Sequence, residues 1–138
     1  MIDVKQLVAN YVAMWNEPDP DARRRAIADL WTADGVHRLD PPQSMREQAA
    51  AIGFSDPTLE IRGHDALYAR VARSYEEFVA PGTYVFRPRD NAARIGDVVK
   101  FNWEMVSTDG GEIAGVGLDV LVVDDDGRIR IDYQFVES

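Results

Sequence analysis

The sequence predicts an α+β fold in which helices come first and an antiparallel sheet follows. In the first half, apolar residues recur at spacings of three and four, whereas in the second half strand-forming runs are separated by short turns rich in Gly and Asp. Turns this short make consecutive strands antiparallel neighbours. A length of 138 residues and an apolar fraction of 46% are enough for one domain, residues 1–138, with its own core.

Three main helices are expected in the first half of the chain. Asp3 and Gln6 resemble a capping box before the first helix, and Pro20 suits the first position of the second helix, where its missing N–H leaves no bond unmade. The expected helices and their stop signals are Val4 to Trp15, ended by Asn16-Glu17-Pro18; Pro20 to Trp31, ended by Asp34-Gly35; and a third from Gly63-His64-Asp65, ended by Ala80-Pro81-Gly82.

Most of the sheet is expected in the second half. The expected strands are Val36 to Asp40, one opened by Tyr84-Val85-Phe86, Val98 to Ser107, Ile113 to Asp124, and Arg128 to Val136. Residues 43–60 are harder to interpret. A short helix from Ser44 to Ile52 followed by a loop fits this stretch, which could act as a lid on a pocket or as a plug in it.

Composition argues against several classes of function. A net charge of −9 would repel phosphate groups, so nucleic-acid binding is not expected. The chain has no cysteine, and neither His37 nor His64 has a metal-binding spacing, so we expect no metal site. Gly-rich nucleotide-binding patterns do not occur, so we expect no cofactor. Because no apolar run approaches the ~20 residues that cross a bilayer, and no signal peptide is evident, we expect a cytoplasmic protein without membrane contact.

One carboxylate interrupts an otherwise apolar strand. Strand alternation places Asp119 on the same face as Gly115 and Gly117. Glycines contribute no packing to a strand, so two of them beside one acid indicate space for a ligand.

The partners of this face depend on the register of the neighbouring strand. A three-residue loop at residues 109–111 pairs Asp119 with Phe101. It also places Trp103 opposite Gly117, so that a large ring faces a missing side chain. A two-residue turn would instead pair Asp119 with Lys100 and make it an ordinary ion-paired acid.

The last strand is expected to complete an aromatic environment. A three-residue loop at residues 125–127 places Tyr133 and Phe135 beside the face that carries Asp119. Desolvation among aromatic rings would raise the pKa of Asp119 and favour its protonated form. We therefore expect Tyr133 and Phe135, with Phe101, Trp103 and Gly117, to contact a ligand.

Two candidates lie outside this strand. Asp40 ends a strand before Pro41, where it is either a turn-forming residue or a general base at the mouth of a pocket. Tyr11 lies on the apolar stripe of the first helix near Trp15, a further candidate ligand contact. Tyr11 is either a core residue or one whose hydroxyl pairs with an acid in the pocket.

A series of short motifs extends over nearly the whole chain apart from residues 43–60. In chain order they are Tyr11-Val12-Ala13, Leu30-Trp31-Thr32-Ala33-Asp34-Gly35, Asp40-Pro41, Gly63-His64-Asp65-Ala66-Leu67, Phe101-Asn102-Trp103, Gly117-Leu118-Asp119 and Asp125-Asp126-Gly127-Arg128-Ile129. Their order and spacing resemble the SnoaL-like members of the nuclear transport factor 2-like superfamily. The resemblance implies a cone-shaped, cystatin-like fold, with three main helices on a curved and mostly antiparallel sheet, and a homodimer formed through the outer face of the sheet.

Within that superfamily the chain is similar to ketosteroid isomerases at three positions. The resemblance implies that Asp40 is the general base, and that Tyr11 and a protonated Asp119 donate hydrogen bonds to an enolate oxygen. Limonene epoxide hydrolases resemble the chain less, because their arginine two residues before the strand aspartate falls on Gly117. Arg38 is a further departure, since an ion pair with Asp40 would weaken the base.

These observations predict a protein that binds a small, largely apolar molecule. Isomerase-like proton transfer next to a carbonyl is the favoured activity. A non-catalytic binding or accessory module is the first alternative, and a polyketide cyclase-like or epoxide hydrolase-like enzyme is the second.

Overall fold

A computed structural model describes residues 3–40, 47 and 59–137 of the chain. Its helices are α1 (Val4–Asn16), α2 (Pro20–Leu30) and α3 (His64–Ser74), and α3 continues as one turn of π-helix (Tyr75–Val79). Its strands are β1 (Trp31–Asp40), β2 (Leu59–Arg62), β3 (Tyr84–Pro88), β4 (Ala93–Ile95), β5 (Val98–Ser107), β6 (Ile113–Val123) and β7 (Ile129–Glu137). The helix expected at Ser44 to Ile52 falls, apart from residue 47, outside the described residues.

The predicted caps of the first two helices are confirmed. The side chain of Asp3 accepts a hydrogen bond from the backbone N–H of Gln6 at 3.1 Å. Asp19 caps α2 by accepting from two backbone N–H groups, and Pro20 is the first residue of that helix. Each cap satisfies donors that the first helical turn leaves unpaired.

The predicted end of α2 is wrong. The helix ends at Leu30, and β1 begins at Trp31 and runs through the expected Asp34-Gly35 stop. A side chain at Gly35 would come 2.9 Å from the ring of Trp31, so glycine allows this buried indole to lie against its own strand. The glycine therefore accommodates a bulky neighbour within a strand, and does not end the preceding helix.

The strands form one mixed sheet in the order β2-β1-β7-β6-β5-β3, with β4 paired to β5. Only the β1–β7 pairing is parallel among the strands of the described ranges, so the prediction of a mostly antiparallel sheet is confirmed. The short strands β2 and β4 were not predicted. In the described part of the chain, no helix has the length and apolarity that a membrane crossing requires.

The pairing predicted for Asp119 is confirmed, but the three-residue loop that predicted it is wrong. The backbone N–H of Ser107, not of Thr108, is opposite Glu112, and a register shift between Met105 and Val106 restores the predicted register further along the strands. Asp119 pairs with Phe101, Gly117 with Trp103, and Gly115 with Met105. Lys100 pairs with Val120, which excludes the ion-pair alternative for Asp119. The helices pack on the face of the sheet that carries Phe101, which belongs to the same buried cluster as the apolar side of α1. We call this the inner face.

The face predicted for Tyr133 and Phe135 is wrong. The turn between β6 and β7 has Asp124 opposite Arg128, as expected, but the register then shifts by one residue: Val123 pairs with Ile129 and Val122 with Ile131. This bulge leaves Arg130 without a partner on β6 and reverses the alternation of every residue that follows. Asp132 and Gln134 consequently lie on the inner face, while Tyr133 and Phe135 lie on the outer face.

Candidate functional site

An apolar cavity of about 560 Å³ lies between the inner face of the sheet, α1 and the α3–π-helix segment. A volume of this size is typical of small-molecule sites. Its apolar and aromatic lining residues include Val12, Trp15, Leu39, Phe78, Phe86, Trp103, Met105 and Val136. Its polar lining residues are Tyr11, Arg70, Arg73, Ser74, Glu77, Gln134 and Glu137.

A buried acid cluster, consisting of Tyr11, His37, Asp119 and Asp132, lies behind this wall. All four side chains are at most 1% exposed. The hydroxyl oxygen of Tyr11 lies 2.8 Å from Oδ2 of Asp119 and 2.5 Å from Oδ2 of Asp132. Helix α1 supplies Tyr11, β6 supplies Asp119, and β7 supplies Asp132, so three separate elements meet at one phenol.

Asp119 is separated from the cavity by its own hydrogen-bond partners. The indole Nε1 of Trp103 donates to Oδ1 of Asp119 at 2.6 Å. The side-chain amide of Gln134 donates to the same oxygen at 3.2 Å. Both partners line the cavity, as does Tyr11, whereas Asp119 is 0% exposed and does not. A ligand in the cavity would therefore meet Asp119 only through these three side chains.

Burial determines which groups of the cluster hold protons. Desolvation, followed by the charge of Asp132, raises the pKa of Asp119 well above its usual value. Desolvation also raises the pKa of Asp132 to about 6, and hydrogen bonds from Asp119 and Tyr11 limit the rise. Asp119 therefore keeps its proton to a higher pH than Asp132 does, and Asp132 is the first of the two to become a carboxylate as the pH rises.

His37 is neutral in this environment. Desolvation lowers its pKa to about 4, against the attraction of Asp119. Its Nδ1 lies 2.9 Å from Oδ2 of Asp132, so the neutral imidazole donates to the carboxylate from Nδ1. The opposite ring nitrogen, Nε2, is buried without a hydrogen-bond partner among the described residues.

These protonation states define one direction of donation through Tyr11. A phenol has a single proton and can donate to only one of its two carboxyl neighbours. Because Asp132 is the carboxylate and lies at the shorter distance, Tyr11 donates to Asp132 and can accept from the protonated Asp119. Desolvation, followed by the charges of Asp119 and Asp132, raises the pKa of Tyr11, which keeps the phenol protonated.

Gly117 provides the space that lets Trp103 reach Asp119. A Cβ atom at Gly117 would lie 2.1 Å from the indole ring of Trp103, a distance that real atoms do not adopt. At the neighbouring Gly115, a Cβ atom would lie 3.6 Å from Met105, an ordinary contact. The glycine at 117 thus has a steric function that the glycine at 115 lacks.

The predicted site residues occupy three different environments. Tyr11, Trp15 and Trp103 line the cavity, whereas Asp119, Phe101 and Gly117 lie behind its wall, where the ring of Phe101 packs edge-on against Tyr11 at 5.4 Å between centroids. Tyr133 and Phe135 lie on the outer face, where the hydroxyl of Tyr133 accepts from Arg38 at 3.3 Å.

Asp40 ends β1 opposite Phe135 and is half-buried. Because Leu39 faces the cavity, strand alternation places Asp40 on the outer face beside Phe135, and Asp40 does not line the cavity. The Arg38 guanidinium, which was expected to weaken Asp40, pairs with Glu60 at 3.0 Å.

Four residues of this region were not identified as site residues from the sequence: His37, Arg70, Asp132 and Gln134. Asp132 and Gln134 were assigned to the outer face, because the bulge at Arg130 has no turn residue to mark it. For His37 a signal existed, since its alternation with Leu39 in β1 places both side chains on one face. Within the described ranges, no group of three metal-ligating side chains is arranged to hold a metal ion.

Comparison with known proteins identifies the fold. No protein family defined by sequence and no curated protein matches the chain. A candidate isomerase of the SnoaL-like family from Agrobacterium tumefaciens is similar in structure, with a TM-score of 0.76, 20% sequence identity and 97% of each chain covered. A candidate polyketide cyclase from Sinorhizobium meliloti has a TM-score of 0.61 at 15% identity, with 96% of this chain and 99% of that chain covered.

A third solved structure, a nuclear transport factor 2-like protein of unknown function from Exiguobacterium, has a TM-score of 0.63 at 14% identity, with 96% of this chain and 98% of that chain covered. The chain therefore has the nuclear transport factor 2-like fold that SnoaL-like proteins share, as predicted. At these identities the similarity establishes the fold alone.

Proposed function

We propose that this protein binds a small, largely apolar carbonyl compound in its cavity and catalyses proton transfer next to the carbonyl, as ketosteroid isomerases do. The observation that carries the proposal is that Tyr11, in the cavity wall, has its hydroxyl 2.8 Å from the carboxyl group of the buried Asp119. The negative charge that develops on the carbonyl oxygen during such a reaction is stabilised by donors already held in place.

Asp119 acts on the ligand indirectly in this proposal. It does not line the cavity, but its partners Tyr11 and Gln134 do. The amide nitrogen of Gln134 contacts both carboxyl oxygens of Asp119, at 3.2 and 3.4 Å, so Tyr11 is the proposed contact to the carbonyl oxygen. In this proposal the hydroxyl of Tyr11 turns its proton from Asp132 to the carbonyl oxygen when the ligand binds, while His37 continues to donate to Asp132. A neutral carboxyl group that donates to Tyr11 makes the phenol a stronger donor, so Asp119 is the proposed positioning residue.

The proposed general base is Asp40, on the resemblance to ketosteroid isomerases alone, and as the last residue of β1 it would have to turn from the outer face towards the cavity. Among the described residues, the carboxylates that line the cavity are Glu77 and Glu137, both exposed at its mouth. A general base must reach the proton that it removes. Glu77 and Glu137 are therefore the alternative bases against which Asp40 is tested.

Deuterium exchange into 2-acetylnaphthalene tests the activity. This apolar ketone has exchangeable hydrogens next to its carbonyl, and the loss of their proton NMR signal in D₂O at pH 7 measures the reaction. We expect the wild-type protein to accelerate exchange over buffer and Tyr11→Phe to slow it by roughly 10²- to 10³-fold, as for other oxyanion-stabilising donors. Tyr84→Phe, a substitution outside the cavity lining, is the matched control.

Variants of the acids test the base. Asp40→Asn should abolish exchange, whereas Glu77→Gln and Glu137→Gln should retain it. If either glutamate variant is inactive and Asp40→Asn is not, the base is the glutamate. Saturable binding of the ketone, measured by calorimetry, without any exchange would reject catalysis.

A non-catalytic binding module is the second candidate. The observation in its favour is that the three acid–base groups of the cluster, His37, Asp119 and Asp132, all lie out of contact with the cavity. A structural cluster would satisfy buried polar groups without taking part in a reaction. Cyclase-like or epoxide hydrolase-like chemistry would use the same cavity. It would require the side chain of Asp119 or Asp132, which do not line the cavity, to reach the ligand.

We also propose that two copies of the chain associate through the outer face of the sheet. Phe135 is 41% exposed on that face, and its neighbours there, Leu118 and Val120, are only half-buried. Exposed apolar side chains next to one another on a sheet favour contact with another surface.

A further inference from the structure

Arg70 is a cation in the wall of a cavity that is otherwise largely apolar. It extends from α3 and its guanidinium stacks over the ring of Trp15, with Cζ 5.1 Å from the ring centroid. Burial is the main influence on this side chain, and it lowers the pKa of Arg70 from its usual value. A charged group held in such a place costs free energy unless an opposite charge or hydrogen-bond acceptors compensate it.

Among the described residues, most donors of Arg70 have no partner. A guanidinium has five N–H donors, and the hydrogen bond that Arg70 makes is one long contact of 3.4 Å from Nη2 to Oε1 of Gln134. Its Nε is buried without a partner, and no acid in residues 3–40, 47 and 59–137 forms an ion pair with it. Asp132 attracts Arg70 only from a distance.

Other polar side chains lie beside Arg70 in the wall. Ser74 is four residues further along α3, on the same side of the helix, and lines the cavity while only 4% exposed. Gln134, already in contact with Arg70, lines it as well. Arg70 and Ser74 thus offer a planar cation and a hydroxyl group on one side of α3, and both can donate to the oxygens of a carboxylate. Gln134 presents its amide oxygen to Arg70 and its amide nitrogen to Asp119, so it is not a donor for that group.

We propose that the ligand of the cavity carries a carboxylate, which the guanidinium of Arg70 binds with the hydroxyl of Ser74 beside it, while its apolar rings lie against Trp103 and Phe86. This inference rests on the proposed function and narrows its substrate class to apolar carbonyl compounds that are also carboxylic acids. Arg73, one turn away from Arg70 and exposed at the cavity mouth, has no part in this site.

A matched pair of ligands tests the inference in the wild-type protein. 2-Naphthoate and 2-acetylnaphthalene share one ring system and a carbonyl oxygen and differ in charge. Calorimetry at pH 7 should give a dissociation constant for 2-naphthoate at least roughly tenfold below that for the ketone, because hydrogen bonds to a charged group are the stronger ones. Equal or tighter binding of the ketone would overturn the inference and leave the proposed function standing, whereas binding of neither would overturn both.

Variants locate the carboxylate. Arg70→Met keeps an apolar stem of similar length and should weaken 2-naphthoate binding roughly tenfold or more while leaving ketone binding within about twofold. Arg25→Met, at an exposed arginine outside the cavity lining, is the matched control and should leave both unchanged, while Arg73→Met tests the mouth of the cavity. If Arg73→Met weakens naphthoate as much as Arg70→Met does, the anion binds at the mouth and the inference is wrong.

A second substitution covers the case in which Arg70→Met does not fold, as judged by circular dichroism. Arg70→Lys retains the charge without the planar fork and should still bind 2-naphthoate more tightly than the ketone. A folded Arg70→Lys protein that binds the ketone as tightly as 2-naphthoate, or more tightly, would contradict the inference.

Discussion

Folding shifts the pKa values of two neighbouring residues of the buried acid cluster, Asp132 and His37, in opposite directions. Burial raises the pKa of Asp132 from 3.8 to about 6 and lowers that of His37 from 6.5 to about 4. The raised pKa of Asp132 does not affect the free energy of unfolding below pH 3.8, and lowers it increasingly as the pH rises towards 6. The lowered pKa of His37 does not affect the free energy of unfolding above pH 6.5, and lowers it increasingly as the pH falls towards 4. Each cost reaches about 3 kcal/mol, and their opposite slopes overlap between pH 4 and 6.

Removal of His37 should reveal how Asp132 alone makes the free energy of unfolding depend on pH. In His37→Phe, the unfolded chain no longer binds the extra proton, so its free energy of unfolding should fall more steeply with rising pH. We expect the slope between pH 4.5 and 6 to be more negative than that of the wild type by about 1.4 kcal/mol per pH unit. Urea denaturation at several pH values measures it.

Val71→Ala is the control for this comparison, because it creates a cavity in the core without removing a titratable group. Its free energy of unfolding should be lower at every pH and run parallel to that of the wild type. A parallel profile for His37→Phe would mean that His37 is charged in the folded protein, contrary to the assignment made above.

Within single elements, the sequence predicts register well where side-chain size constrains it. Gly115 and Gly117 face Met105 and Trp103, and this match of small to large residues identifies the register of β5 and β6 correctly. In β7 no such pattern exists, because Arg130 is an ordinary strand residue that happens to bulge. One unmarked residue was enough to place one acid, one amide and two aromatic rings on the wrong faces.

The contact between β5 and β6 predicts an unequal response to alanine at the two glycines. Gly117→Ala would force the indole of Trp103 away from Asp119, and we expect a loss of about 1 to 3 kcal/mol of stability together with a changed tryptophan fluorescence. Gly115→Ala should be tolerated, since its Cβ has room beside Met105. Thermal denaturation and emission spectra of both variants measure the difference, and similar losses in the two would show that the indole can move freely.

At the scale of the whole molecule, we propose that the inner face of the sheet binds the ligand and that the outer face forms the dimer contact. The inner face carries the cavity and the acid cluster, whereas the outer face carries Tyr133 and Phe135. The resemblance to SnoaL-like proteins predicts a ligand pocket and a dimer contact, but the structure was needed to show which residues lie on each face.

The proposed dimer predicts that a charge at Phe135 separates the two copies. Phe135→Lys should convert a dimer into a monomer, because two such charges would be buried against each other at a symmetric contact. Ile95→Lys is the control, since Ile95 is 84% exposed but lies on β4, at the side of the sheet. Light scattering after gel filtration gives the mass of each protein, and a monomeric wild type would refute the proposal.

The parallel pairing of β1 with β7 joins parts of the chain that are made at very different times. His37 and Asp132 are 95 residues apart, and Tyr11 and Asp132 are 121 residues apart. During translation, Tyr11 and His37 are therefore synthesised long before Asp132, to which both are hydrogen-bonded. Until β7 has left the ribosome, these polar groups have no carboxylate to pair with, and the first helices have an incomplete surface to pack on. The buried acid cluster is therefore complete only when β7 has been made, after translation has passed residue 132.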